Sequence, residues 1–305
     1  MRMRKTAAAG AVVLALAATA TACGGESGTA GDKPAGGDVY SGDYKVASGV
    51  TVDSPVLKKA QAAKKIVIGV KADQPFLGFK DTAGTYSGFD IEIAKMVAAD
   101  LGFSEKQIKF DTIDSNVRET TISKGQVDYY VGTYTINDER KKQVGFAGPY
   151  YTAGADLLVR KEDKSITGPT SLKGKKVCSI VGSTPLQEIK KPKYGADTVQ
   201  LSKYSDCVKS LLDGQVDAVT TDDAILKGYA AQRHEKLRVV EKPFTKEPYG
   251  VGMKKDDKAL RDAISKALEN HIKNGDYEKA YNGTLGKSGS PFTKDTAPDL
   301  PLPRY

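Results

Sequence analysis

Gly125-Gln126-Val127-Asp128 sits between a stretch of helical character and the apolar run ending at Val131. The same four residues return as Gly214-Gln215-Val216-Asp217 ahead of Ala218-Val219-Thr220. Five residues beyond each Asp lie Thr133 and Asp222, which places them at the carboxyl ends of equivalent strands. In open α/β sheets that edge is where ligands bind. Two such edges, one per lobe, define a cleft with polar groups facing each other. Chance or a shared helix–turn–strand device also leaves a four-residue match; the equivalent positions of Thr133 and Asp222 give it weight.

Around this repeat the chain alternates. Ile66-Val67-Ile68-Gly69-Val70 is a short apolar run flanked by Lys, hence a buried strand. Phe89, Ile93, Ala94, Val97, Ala98 and Leu101 follow helical spacing, with Asp90 as a structural helix-start residue and Gly102 as the stop. A strand at 108–110, a helix over 115–124 and a strand at 127–131 complete a βαβαβ run. A second alternation spans about 155–245, with strands near 157–159, 177–181, 218–220 and 237–240. A strand over 249–253 and helices over 259–273 and 277–281 close the series. Such alternation predicts α/β domains with mainly parallel sheets. The expected division is a leader over 1–22, a tether over 23–62 (Gly, Ser, Asp and Lys rich to about 45), one lobe from 63–153 plus 249–285, a second over 154–248, and an irregular Pro-rich tail over 286–305.

Composition narrows the function. The chain has 305 residues, 39% hydrophobic and 28% charged, with mean hydropathy −0.40, enough for a core in each of two domains. Arg2, Arg4 and Lys5 carry three of the charges in the formal +8, so +5 remains beyond the first 22 residues. That diffuse excess suits an anionic small ligand or surface and argues against nucleic acid. The absence of Trp weakens any sugar-stacking platform. With only His234 and His271 present, His-rich metal sites and His-based triads are disfavoured, and no cofactor is implied.

The N-terminus reads as an export signal: a positive start through Lys5, then an apolar stretch from Ala7 to Thr21, too short for a membrane span. Ala20-Thr21-Ala22-Cys23 resembles the lipobox of bacterial lipoproteins, in which Cys23 becomes lipidated and N-terminal; the alternative is an ordinary signal peptide. Export to an oxidising compartment favours pairing Cys178 with Cys207 over two buried free thiols. In Thr133-Tyr134-Thr135-Ile136-Asn137-Asp138-Glu139-Arg140 two hydroxyls and a guanidinium follow a strand, a set that matches a carboxylate; a solvated charge run is the competing reading. Gly182-Ser183-Thr184-Pro185-Leu186-Gln187 carries a capping signature with Thr184 as N-cap, and free N–H groups there offer an anion site; the plain alternative is a well-capped helix.

Gly88-Phe89-Asp90, Thr135 through Arg140, Phe146-Ala147-Gly148-Pro149-Tyr150-Tyr151 and Gly214 to Asp217 together resemble the polar amino-acid solute-binding proteins of ABC importers, over about residues 64–285. The resemblance implies a two-lobed periplasmic-binding-protein-like fold of type II, with two crossover strands and the ligand between the lobes. It implies that Arg140, helped by Thr135 and the backbone at Ser183 and Thr184, holds the ligand α-carboxylate. The α-ammonium falls to Asp222 and the Thr133 carbonyl. Lys71 and Arg118 match positions where acidic-amino-acid binders carry cations, with surface charge as the alternative. Three cations against Asp222 give the expected site +2, which favours L-glutamate or aspartate over glutamine. Lys71-Ala72-Asp73-Gln74-Pro75 and the Cys178/Cys207 pair are similar to glutamate-binding lipoproteins of Gram-positive importers. The expectation is a lipid-anchored receptor on the outer face of the cell membrane, delivering ligand to permease subunits with a cytoplasmic ATPase and doing no chemistry. A dehydratase of cyclic amino-acid precursors on the same scaffold is the enzymatic alternative, and it needs a general acid or base beside the ligand.

Overall fold

The computed structural model describes residues 39–305. The expected leader, Cys23 and the first part of the tether lie outside the described residues. The first lobe is built from α1 (Pro55–Ala63), β1 (Ile66–Val70), β2 (Asp73–Gln74), β3 (Gly78–Lys80), β4 (Tyr86–Ser87), α2 (Phe89–Asp100), β5 (Ile108–Thr112), α3 (Arg118–Ser123), β6 (Tyr129–Val131), α4 (Asp138–Lys141) and β7 (Gly145–Ala153). The second contains β8 (Ala155–Arg160), β9 (Lys176–Ile180), α5 (Thr184–Ile189), β10 (Asp197–Leu201), α6 (Tyr204–Leu212), β11 (Ala218–Asp222), α7 (Asp223–Gln232) and β12 (Leu237–Val239). The chain then returns through β13 (Glu247–Met253) to α8 (Lys258–Lys273) and α9 (Asp276–Gly283) on the first lobe.

Each lobe carries a five-stranded sheet, ordered β5-β1-β6-β13-β7 in the first and β10-β9-β11-β8-β12 in the second; β2, β3 and β4 form a small sheet of their own. Four strands of each large sheet run in one direction, as expected of mainly parallel sheets, and a single strand opposes them. β13 runs against β6 and β7, and β8 against β11 and β12. The cause is the double crossing between lobes. β7 passes directly into β8 through Gly154, the return strand β13 pairs with β7 from Glu247↔Ala153 to Met253↔Gly145, and two such passages in opposite senses cannot both be parallel.

The Gly-Gln-Val-Asp repeat is one device used twice. Gly125 and Gly214 adopt φ of +65° and +72° after α3 and α6, in open space, so conformation alone asks for glycine. Asp128 accepts the Val67 N–H at 2.7 Å and returns its own N–H to the Val67 carbonyl at 2.8 Å. Asp217 does the same with Lys176, at 2.8 Å in both directions. Each Asp pins the strand that follows, β6 or β11, to the strand beside it, so Thr133 and Asp222 emerge at matching ends of their sheets.

Two segments differ from expectation. Within the tether's later part, α1 packs Leu57 and Ala60 into the core, and Ser54 caps it by accepting the Leu57 N–H while donating to Asp257 at 2.7 Å. Tyr44 is buried and donates to Glu92 at 2.7 Å. Ser54-Pro55 is a helix-start signature, and the three-residue spacing of Leu57 and Ala60 gives that helix an inward face; the Gly/Ser-rich stretch upstream obscures both. The tail is irregular, yet docked: Leu302 is buried, Arg304 pairs with Glu269 at 2.9 Å and also bridges to Ala147 on β7.

Cys178 of β9 and Cys207 of α6 are joined, as the sequence suggested. The bond ties α6 to the sheet across 29 positions of sequence. Replacing both cysteines by Ala is expected to lower unfolding free energy by about 2–4 kcal/mol. Urea titration of both proteins measures this, and equal midpoints with equal slopes would show the bridge to be dispensable.

Candidate functional site

Thr133 leaves β6 with φ of +45°, an uncommon conformation for a β-branched residue. It is held there by Asp90, whose buried carboxylate accepts the Thr133 N–H at 2.9 Å and the Tyr150 hydroxyl at 2.8 Å. Asp90 therefore does more than start α2: it sets the backbone at the edge of the cleft. Burial pushes its carboxyl up to about 6, against the two hydrogen bonds that favour the anion.

Arg140 lies one turn further on, in α4, where Asn137 caps its N–H at 2.9 Å. Its guanidinium is buried and donates to the Thr135 carbonyl at 2.7 Å and, across the cleft, to the Gly182 carbonyl at 3.0 Å. Arg118, at the first position of α3, donates to the same Gly182 oxygen at 3.0 Å. Both guanidiniums lie over the Tyr134 ring, at 4.2 Å for Arg118 and 5.0 Å for Arg140, and both pair with Glu119, at 3.5 and 3.3 Å. Burial, then the neighbouring Arg118 charge, lowers Arg140 to about 10, which leaves it protonated at neutral pH. Gly182 permits the close approach. With φ of +83°, a Cβ there would lie 2.8 Å from backbone atoms of Ser115 and Asn116 in the opposite lobe.

Ser183, not Thr184, is the N-cap of α5, and its hydroxyl accepts the Leu186 N–H at 3.2 Å. The one-residue shift frees the Thr184 hydroxyl, which donates to Glu247 at 2.6 Å and stands 3.4 Å from that of Thr135. Asp222 ends β11. Tyr249 donates to one of its oxygens at 2.7 Å, while its buried Oδ1 has no hydrogen-bond partner among the described residues. Burial, reinforced by Glu247, raises this carboxyl well above the ordinary range.

Of the eight residues expected to touch ligand, seven line one small cavity between the lobes: Arg118, Thr133, Thr135 and Arg140 from the first, Ser183, Thr184 and Asp222 from the second. Only about 10 Å³ of it is free space, far below the ~300–1,000 Å³ usual for drug-sized ligands, so the two lobes stand nearly shut on these side chains. Lys71 is the exception. It lies behind Ser115, with Nζ 3.4 Å from the Ser115 hydroxyl that lines the cavity, and it also borders an outer groove. It is 2% exposed and forms no ion pair with a carboxylate among the described residues. Burial pulls its ammonium below the usual lysine range, with Asp73 acting in the opposite sense.

Several members of the site escaped sequence reasoning. Tyr134 gave no signal beyond its place between two threonines. Tyr204 and Ser115 reach the cavity from α6 and from the turn before α3. Glu119, adjacent to Arg118, and Glu247, opening β13, matter most, because they correct the expected charge. Three cations against Asp222 alone give +2, but Glu119 and Glu247 bring the formal total to zero.

Two α/β lobes joined by two extended crossovers, with a guanidinium and a buried carboxylate facing across the cleft, define a two-lobed solute-binding protein. The chain belongs to the bacterial extracellular solute-binding proteins, family 3, whose profile matches residues 66–287. The glutamate-binding protein GluB of Corynebacterium efficiens is 39% identical over 245 residues, covering 77% of this chain and 83% of that protein. The ABC transporter glutamine-binding protein GlnH of Bacillus subtilis is 39% identical over 218 residues, covering 71% and 80%. Among solved structures, an ancestral arginine-binding protein bound to glutamine superposes with a TM-score of 0.69 at 37% identity, covering 73% of this chain and 98% of that one.

The Asp90 carboxyl gives a pH signature. Its folded value near 6 exceeds the ordinary 3.8, so between those values the folded state binds more protons than the unfolded one, and stability falls as pH rises. Asp90→Asn removes this contribution. The unfolding free energy of wild type minus variant is expected to decrease by on the order of 2–3 kcal/mol from pH 3.5 to 7. Denaturant titrations across that range check it, and a difference independent of pH would show that the carboxyl titrates normally.

Proposed function

We propose that the protein captures an acidic amino acid, L-glutamate with aspartate as its nearest rival, by closing two lobes around it, and presents it unchanged to the permease subunits of an ABC importer with a cytoplasmic ATPase. Arg140 and Thr135, with Ser183 and Thr184 opposite, receive the α-carboxylate. Asp222 and the Thr133 carbonyl receive the α-ammonium; the unpartnered Asp222 Oδ1 supports this, since a buried acceptor calls for a donor. Lys71 and Arg118 receive the side-chain carboxylate.

The observation that carries the acidic side chain is Lys71, a buried ammonium with a hydroxyl but no carboxylate in contact. An isolated buried charge is costly, and an anionic ligand beside Ser115 relieves it. The balanced charge created by Glu119 and Glu247 favours a second reading, a neutral side chain such as that of glutamine. The absence of chemistry is supported by the engagement of the carboxylates. Glu119 accepts from Tyr134 and two arginines, Glu247 from Thr184 and Thr245, and Asp222 faces the ammonium.

Calorimetric titrations decide between the readings. Wild type is expected to bind glutamate more tightly than glutamine. Lys71→Met should weaken glutamate at least about a hundredfold, since an unpaired buried carboxylate costs roughly 3–5 kcal/mol, and should weaken glutamine far less. Arg140→Ala should abolish binding of both. Equal losses at Lys71 for the two ligands, or tighter wild-type binding of glutamine, would overturn the glutamate assignment; ligand recovered in altered form would favour an enzyme.

We further propose that residues 1–22 are an export leader and that Cys23 carries a lipid anchor to the outer face of the cell membrane. Among the described residues no helix is long and apolar enough to cross a membrane, so retention there falls to the N-terminus. Cys23→Ala is expected to shift the protein from membrane to soluble fractions or medium. Full membrane retention of the variant, with no lipid on the wild-type N-terminus by mass spectrometry, would refute the anchor.

A further inference from the structure

Helix α6 begins without a cap of its own: its N-cap residue is Lys203, whose side chain makes no capping hydrogen bond. The cap comes from the other lobe. The carboxylate of Asp73, 131 positions earlier in sequence, accepts the Tyr204 N–H at 2.9 Å and approaches the Ser205 N–H at 3.4 Å. The Asp73 carbonyl accepts the Tyr229 hydroxyl from α7. Beside it, Gly228 of α7 lies so close to Pro75 that a Cβ would stand 2.5 Å from the Pro75 carbonyl oxygen. One turn of the first lobe, 73–75, therefore docks onto the starts and sides of two helices of the second. Asp73 is a half-buried rim residue and does not line the ligand cavity, whereas Tyr204 does.

We propose that Asp73 is a closing latch, a positioning residue that caps α6 only when the lobes meet and thereby sets the affinity for every ligand by the same factor. The physical basis is that a carboxylate on the free N–H groups and positive end of a helix is stabilising, and here that stabilisation exists solely in the closed arrangement. The disulfide makes the contact effective. Cys207, three residues beyond Tyr204, fastens α6 to β9, so fixing the start of α6 fixes the wall of the cavity that Tyr204 forms. The latch is distinct from side-chain selection, which the proposed reading gives to Lys71 and Arg118. The inference rests on that reading only in needing lobes that open and close.

The competing role for Asp73 is electrostatic, because its charge also acts on Lys71. Two variants separate these. Asp73→Ala removes the acceptor and the charge; Asp73→Asn keeps a capping oxygen and removes the charge. The full-length protein is titrated with glutamate, aspartate and glutamine, dissociation rates are measured by stopped flow, and the radius of gyration of the ligand-free protein is taken by small-angle scattering. For a latch, Asp73→Ala weakens all bound ligands by a common factor of about ten, expressed in faster dissociation, and Asp73→Asn stays within about threefold of wild type. Unchanged affinity of Asp73→Ala, or a loss confined to acidic ligands and equal in both variants, would overturn it. If wild type binds no amino acid, the proposed function falls. The latch is then judged on scattering alone, where a larger ligand-free radius for Asp73→Ala supports it and an equal radius refutes it.

Discussion

Two guanidinium groups of one lobe end on a single carbonyl oxygen of the other, and most of the site follows from that arrangement. Arg118 and Arg140 carry like charge, and bringing them to the Gly182 oxygen requires something between them that compensates. Glu119 and the face of Tyr134 supply it, the first by ion pairs and the second by its ring quadrupole. Gly182 has to be glycine because its backbone meets the Ser115–Asn116 backbone directly. The two lobes thus meet through main chain, where geometry is least adjustable, and the side chains around that contact are placed by it.

The organisation of the fold was legible in the sequence because it depends on local devices with strong signatures. The Gly-Gln-Val-Asp repeat is a helix stop followed by a strand anchor, and its two copies deliver Thr133 and Asp222 to matching sheet edges. The capping run at 183–187 was legible for the same reason, although Ser183 and Thr184 each satisfy the chemistry and only the backbone decides between them. The antiparallel strands were not legible, since their direction is set by the chain crossing between lobes and by nothing in β8 or β13 themselves. The small sheet of β2, β3 and β4 has strands of two or three residues, too short to show a period.

The site was legible in its cations and hidden in its anions. Arg140, Arg118 and Lys71 stand at positions that resemblance to a family marks, whereas Glu119 and Glu247 look like ordinary surface carboxylates until the fold brings them in. Charge counting on sequence therefore missed two negative charges within the same network. The choice of ligand then turns less on net charge than on which charge lacks a partner. Arg118 and Arg140 share Glu119; Lys71 has only Ser115. The proposed acidic ligand rests on two such groups: the Lys71 ammonium, buried behind Ser115 with no carboxylate in contact, and the buried Asp222 Oδ1, which has no donor among the described residues.

That claim is tested most directly by a crystal structure of the full-length protein with L-glutamate. The account places the α-ammonium on Asp222 Oδ1, the α-carboxylate on Arg140, and the side-chain carboxylate within hydrogen-bond reach of Lys71 Nζ, about 3 Å away. A glutamate whose side chain turns away from Lys71, leaving that ammonium against Ser115 alone, would contradict it.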